Sequence, residues 1–241
     1  MALSPPVVLC ATAYHAEDTA VPFVRALLDE SPFTIVLVVA DVGTWRYLGP
    51  TADRFYPRID TPLHPNVSRG AGRQEAIEYV REYMATGTGE DPVIVQLDAD
   101  TAYDHLPRYV DRYLRWYDDA LLNVGANSDP VLNNRMGHAV IARLSVFDRL
   151  GGYRDLFARE DMDLERRAVR AGLHRAISGD PSDFVRFPAD RRGSDARRYE
   201  RTFARRAGRE ARTILASVAV LGPWRGALRP LLDGARGRVE G

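Results

Sequence analysis

The chain contains no lysine: its 33 basic residues are all arginine. That absence removes two broad chemistries, a Schiff-base or cofactor-bearing lysine and a phosphate loop of the GK[ST] kind. Cysteine is almost missing as well. The lone Cys10 excludes an internal disulfide and a cysteine-rich zinc site, and it points to a reducing compartment. No run of eighteen uncharged apolar residues occurs, so no segment reads as membrane-spanning. The opening MALSPPVVLC has neither the basic stretch nor the apolar length expected of a secretory leader. These absences place the expected site of action in the cytoplasm.

What is present is an ordinary globular composition: 241 residues, 45% hydrophobic and 27% charged, with a formal net charge of zero. The neutrality is a sum of two opposed parts. Residues 1–185 carry 19 arginines against 27 acids, a net of −8, and residues 186–241 carry 14 against 6, a net of +8. The boundary near 185 divides the chain into two regions of different character.

The first region alternates strand-like and helix-like segments. Val7–Ala13, Phe33–Ala40 (FTIVLVVA) and Val93–Leu97 (VIVQL) are continuous apolar runs, the pattern of strands buried on both faces. Helical spacing appears near Thr19–Asp29, Ser68–Met84, Leu106–Tyr117 and Asp161–Ala171, and further strand-like stretches at Leu121–Ala126 and Ala139–Leu144. Strands alternating with helices predict an α/β domain with a mainly parallel, Rossmann-like sheet flanked by helices. Ligands of such sheets sit beyond the carboxyl ends of the strands.

Two sets of carboxylates stand out, the first of them where that rule directs attention. VIVQL runs into Asp98-Ala99-Asp100. If the strand continues, these carboxylates share one side, and oxygen ligands there suit magnesium or manganese holding a diphosphate. Turn and N-cap aspartates have the same appearance. The second set follows Gly151-Gly152: Glu160-Asp161-Met162-Asp163-Leu164, where one carboxylate is a candidate general base towards a hydroxyl group. Acids favoured by a helix start account for the same pattern. Leu164, Ala168 and Leu173 form the stripe that would fix this helix to the core.

In order along the chain, VVLCATAYHAED, FTIVLVVAD, the segment Asn66–Gln74, QLDAD and GGYRDLFAREDMDLERRAVRAG together resemble the inverting glycosyltransferases of family 2, which have the GT-A fold. The resemblance implies a nucleoside-diphosphate sugar donor, a divalent cation and direct displacement at the anomeric carbon. It places Thr12 and Tyr14 on the nucleotide pocket, Asp41 at the nucleobase, Arg73 near the base or diphosphate, and Asp98 at the ribose. Asp100 would hold the metal, Asp161 would deprotonate the acceptor, and Glu160 would help to position acceptor or sugar. The chain departs from the family in having Tyr14-His15 where Tyr-Asn is usual, a single Asp41 where two adjacent acids are common, and Gln74 where asparagine is usual. A UDP-sugar is the favoured donor, with a GDP-sugar as the second choice. The Q-x-x-R-W motif of processive synthases is absent, so transfer of one sugar is expected. On this reading residues 1–185 are the catalytic domain. The competing functions are a sugar-phosphate nucleotidyltransferase and a non-catalytic sugar-nucleotide-binding module. The first needs a Gly-rich, basic start that VVLCATAYHAED does not offer, and the second sits poorly with intact Asp98, Asp100 and Asp161.

The histidines read as mainly structural, with His138 the exception to watch, and Asn127–Asp129 with Asn133–Arg135 read as a polar surface loop, with contact to a polar acceptor as the alternative. Residues 186–241 predict an Arg-rich helical extension. Its half from Asp195 is basic, and its second half is apolar, with Trp224 and a break at Gly222-Pro223. Such a segment suits the surface of an anionic membrane, at the inner face, or a lipid-linked phosphate acceptor. The competing reading, given slightly more weight, packs Ile214, Leu215, Val218 and Val220 on the domain or across a homodimer, with the arginines solvated outside. No nucleic-acid partner is expected, because the acidic first region would repel one.

Overall fold

The computed structural model describes residues 5–55, 58–64, 67–84, 90–126, 139–156 and 159–186. Asn66, the polar loop with Asn127–Asp129 and Asn133–Arg135, His138, and the Arg-rich extension beyond Arg186 therefore lie outside the described residues.

Seven strands form one sheet, in the order β3-β2-β1-β4-β7-β6-β8. They are β1 (Val7–Ala13), β2 (Thr34–Val39), β3 (Ile59–Asp60), β4 (Val93–Asp98), β6 (Leu121–Ala126), β7 (Ala139–Arg143) and β8 (His174–Gly179). β3, β2, β1 and β4 are mutually parallel, β6 and β8 pair in parallel, and β7 runs antiparallel to both its neighbours. β5 (Thr101–Tyr103) lies outside this sheet and pairs with β9 (Phe184–Arg186) in a two-stranded ladder. The expected mainly parallel α/β sheet is present, with a single reversed strand, β7, between β4 and β6.

The apolar runs work by alternation. Leu9, Ala11, Ile35, Leu37, Val39, Val93 and Val95 project into one core, and Val8, Cys10, Val36, Val38 and Ile94 into another on the opposite face. Both faces need a cover, which is why the strands read as unbroken hydrophobic runs. The first core is closed by α1 (Glu17–Glu30) through Phe23, Val24 and Leu27, by α2 (Val42–Phe55) through Leu48, and by α4 (Leu106–Trp116) through Leu106, Tyr109, Val110 and Tyr113. The second is closed by α3 (Arg69–Tyr79) through Ala76 and Ile77, by α5 (Leu144–Leu150) through Phe147, and by α6 (Glu160–Arg170) through Leu164 and Ala168. A π-helical turn, Val80–Met84, prolongs α3 and adds Val80 to the same core.

Two helix starts decide the shape of the sheet's carboxyl edge. Asp41 Oδ1 accepts the Thr44 N–H at 2.8 Å and so caps α2. Ser68 does the same for α3, accepting from the Ala71 N–H at 3.0 Å. The helices α2 and α5 and the strands β3, β5, β8 and β9 are additions to the sequence reading. Among the described residues no helix is long and apolar enough to cross a membrane.

Candidate active site

β1, β2 and β4 end side by side: Thr12 is in register with Val38 on one side and Asp98 on the other. Above this edge two loops are stitched together. The His15 N–H donates to Asp41 Oδ2 at 2.9 Å, and the Ala16 N–H donates to the Thr44 hydroxyl at 3.0 Å. Asp41, expected at the nucleobase, thus uses one carboxylate oxygen to cap a helix and the other to hold the first loop. Tyr14 is exposed on that loop with its ring 4.1 Å from that of His15. His15 itself takes a left-handed backbone, φ 47°.

α3 approaches the end of β1 so closely that a Cβ on Gly72 would lie 2.5 Å from Thr12 Cγ2. Its first turn also abuts the loop after Gly152. A Cβ on Gly70 would fall 1.9 Å from the Arg154 carbonyl oxygen, and the Gly70 N–H donates to the Leu156 carbonyl at 2.9 Å. Small residues here are a packing requirement. They bring α3, β1 and the loop leading to α6 to one place.

Arg73 occupies that junction. It is 7% exposed. Its Nη2 lies 2.6 Å from Asp98 Oδ1, its Nε 3.2 Å from Glu160 Oε1, and its guanidinium carbon 5.6 Å from the centre of the Tyr153 ring. Burial opposes its charge, but Glu160 and Asp98 outweigh burial and push its pKa up. Glu160 is 1% exposed, with Arg69 Nε a further 3.9 Å away. Neither of its oxygens accepts a well-formed hydrogen bond. Burial, opposed by Arg73 and reinforced by Asp161, raises its carboxyl from the ordinary 4.5 to about 7. Asp161 is half-buried, and its Oδ1 accepts the Met162 N–H at 2.8 Å.

β4 ends at Asp98, and Ala99-Asp100 form the turn into β5 rather than continuing the strand. Tyr103 of β5 pins this turn: its hydroxyl oxygen accepts the Asp98 N–H at 2.7 Å. Tyr103 in turn packs edge-on against Phe184 of β9 and Phe23 of α1. Asp100 Oδ1 accepts the Thr101 hydroxyl at 3.1 Å. With Asp98 engaged by Arg73, the turn offers chiefly the Asp100 carboxylate. That donor set fits a magnesium or manganese ion whose remaining positions are filled by water and phosphate oxygens. Among the described residues, one cluster brings three metal-type donors together, and it lies elsewhere: His15, Glu17 and Asp41, within 4.8 Å of one another.

Asp163 has a different role from its neighbours. It is fully buried and accepts from Arg166 Nη2 at 2.6 Å and Arg167 Nε at 2.9 Å. Arg167 then donates to the Leu150 and Gly152 carbonyls. The pair clamps the glycine turn, where Gly151 and Gly152 have φ of 73° and 61°. Gln74 completes the fastening by accepting the Tyr153 N–H at 2.8 Å.

The site residues missed in the sequence are therefore Tyr103, Tyr153, Gln74, Thr44 and Glu17. Tyr153, Gln74 and Glu17 lie inside the quoted motifs, while Tyr103 acts through contacts that spacing does not reveal.

No family model and no curated protein matches the sequence. Solved structures do match in fold. S. aureus TarS 1–349 superposes with a TM-score of 0.59 at 15% identity, covering 96% of this chain and 87% of that one. The same protein in complex with UDP gives 0.57 at 13% identity, with coverage of 96% and 87%. The chain spans 43% of the longer TarS structure. The 4-diphosphocytidyl-2C-methyl-D-erythritol synthase of Anaerococcus prevotii gives 0.54 at 10% identity, covering 83% of this chain and 96% of that one. The fold is GT-A. Within this GT-A sheet, the Asp98–Asp100 turn and the Glu160–Asp161 helix start lie at the carboxyl edge, joined by Arg73.

Proposed function

We propose that the chain is a metal-dependent, inverting glycosyltransferase of the family-2 kind that moves one sugar from a nucleoside-diphosphate donor to a hydroxyl acceptor. The observation that carries this reading is the convergence of a donor-type carboxylate turn and an acceptor-type carboxylate pair on one buried arginine. In this reading the first loop, with Thr12 and Tyr14, and the Asp41 corner receive the nucleoside, and Asp98 meets the ribose. Arg73 lies on the donor side through its contact with Asp98. Asp100 holds a manganese or magnesium ion, which when bound neutralises charge on the leaving diphosphate.

The half-exposed Asp161 takes the acceptor proton as the acceptor oxygen attacks the anomeric carbon. The bond from that carbon to the diphosphate oxygen breaks, its electron pair leaving with the nucleoside diphosphate, and the configuration inverts. Glu160, beside it, helps to position acceptor or sugar. UDP-sugars are the favoured donors because a structural neighbour is in complex with UDP, and GDP-sugars come second.

The test pairs binding with turnover. Sugar nucleotides with manganese are screened by thermal shift, and transfer is followed as nucleoside diphosphate released. Asp100→Ala should abolish metal-dependent nucleotide binding. Asp161→Asn should bind donor as the wild type does and release at least a hundredfold less product. Normal turnover by Asp161→Asn would place the base elsewhere. The likeness to the synthase supports a second reading, nucleotidyl transfer to a sugar phosphate. It predicts pyrophosphate release from a nucleoside triphosphate in the same screen.

A further inference from the structure

Arg73 is an unusual residue for a donor site. A cation meant for a diphosphate gains most when its donors face the ligand, whereas this one is 7% exposed and turns Nη2 and Nε to two carboxylates of its own chain. Those carboxylates belong to opposite halves of the reaction. Asp98 closes β4, and its side chain is 32% exposed, open to the donor side. Glu160 opens α6 next to Asp161 and has almost no exposure. The guanidinium is held between the two carboxylates and lies over the Tyr153 ring, 5.6 Å from its centre. A planar fork locked this way cannot follow one carboxylate without changing its grip on the other.

We propose that Arg73 is a positioning residue, a buried strut that couples the donor-facing Asp98 to Glu160 and through it to the start of the helix that carries Asp161. The inference builds on the glycosyltransferase reading, deepening it by making the donor and acceptor carboxylates one connected unit. When nucleotide draws on Asp98, Arg73 shifts its charge towards Glu160 and steadies the first turn of α6. When Glu160 is neutralised, Arg73 concentrates on Asp98 and withdraws it from the nucleotide. Asp98 and Glu160 thus act on each other without touching. Arg69, at 3.9 Å from Glu160 and half exposed, supplies a weaker second contact that leaves Arg73 the dominant partner.

The coupling is tested by a double-variant cycle on the full chain, using Glu160→Gln, Asp98→Asn and both together. The probes are UDP and GDP, each with manganese, measured by calorimetry. Glu160→Gln should weaken nucleotide binding about three- to tenfold although Glu160 lies on the acceptor side, and it should cause no further loss once Asp98 is Asn. Equal losses in both backgrounds, or unchanged affinity in Glu160→Gln, would overturn the strut. If the wild type binds neither nucleotide with manganese, the function reading fails, and a nucleotide-free measurement still decides the coupling. The carbon-13 resonance of the Glu160 carboxyl should titrate at lower pH in Asp98→Asn than in the wild type, because Arg73 then serves Glu160 alone. An unmoved midpoint would show that the two carboxylates are independent.

Discussion

Glu160 shows at the scale of one residue how burial and charge compete. Burial lifts its carboxyl to about 7, although Arg73 pulls the other way. An acid whose folded pKa lies above its unfolded one carries an extra proton in the native state across the interval between them. The stability this provides is complete below about 4.5 and is lost as pH rises towards about 7. Glu160→Gln cannot titrate, so the wild type should lose melting temperature relative to it between pH 4.5 and 7.5. Parallel curves would show that Glu160 is ionised throughout. Cys10 is a simpler case: complete burial in β1 pushes its thiol pKa well up, so it should resist a thiol reagent until the chain unfolds. The sequence showed that Cys10 stands alone. Its inertness follows from the helices that cover both faces of the sheet.

Among elements, the glycine turn, α6 and α3 form one interlocked unit. Asp163 reads from the sequence as one more acid in a helix's first turn, equivalent to Asp161. The fold separates them, leaving Asp161 half-buried and enclosing Asp163 between Arg166 and Arg167. Asp163→Asn would leave two largely buried guanidinium groups under-compensated, a loss of about 3–5 kcal/mol in urea unfolding. Gly70 gives a test of sign. Helix propensity alone says that Gly70→Ala should stabilise α3 by up to about 1 kcal/mol. Contact with the Arg154 carbonyl says it should destabilise the chain by about 1–3 kcal/mol. Chemical denaturation of that one variant separates the two, and we expect the loss. Motif spacing places these residues close in sequence but carries no information about which backbone lies across from Gly70.

For the molecule as a whole, neutrality conceals a polarity of −8 in residues 1–185 and +8 in residues 186–241. We propose that the basic part engages an anionic surface. Binding of the full chain to phosphatidylglycerol vesicles should weaken with added salt and disappear on deleting residues 195–241. Vesicle binding that survives the deletion would sink the proposal. The sequence by itself determined the alternation of β1, α1, β2, α3, β4, α4, β6, β7 and α6, the two-sided burial of β1, β2 and β4, and the two carboxylate sets, because periodicity and residue chemistry are local properties. The reversed β7, the β5–β9 ladder that fixes the Asp98 turn, and the Arg73 link between Asp98 and Glu160 were decided only in three dimensions. Each joins residues tens of positions apart. The free energy that holds them comes from burial and charge pairing between elements, which no local pattern records.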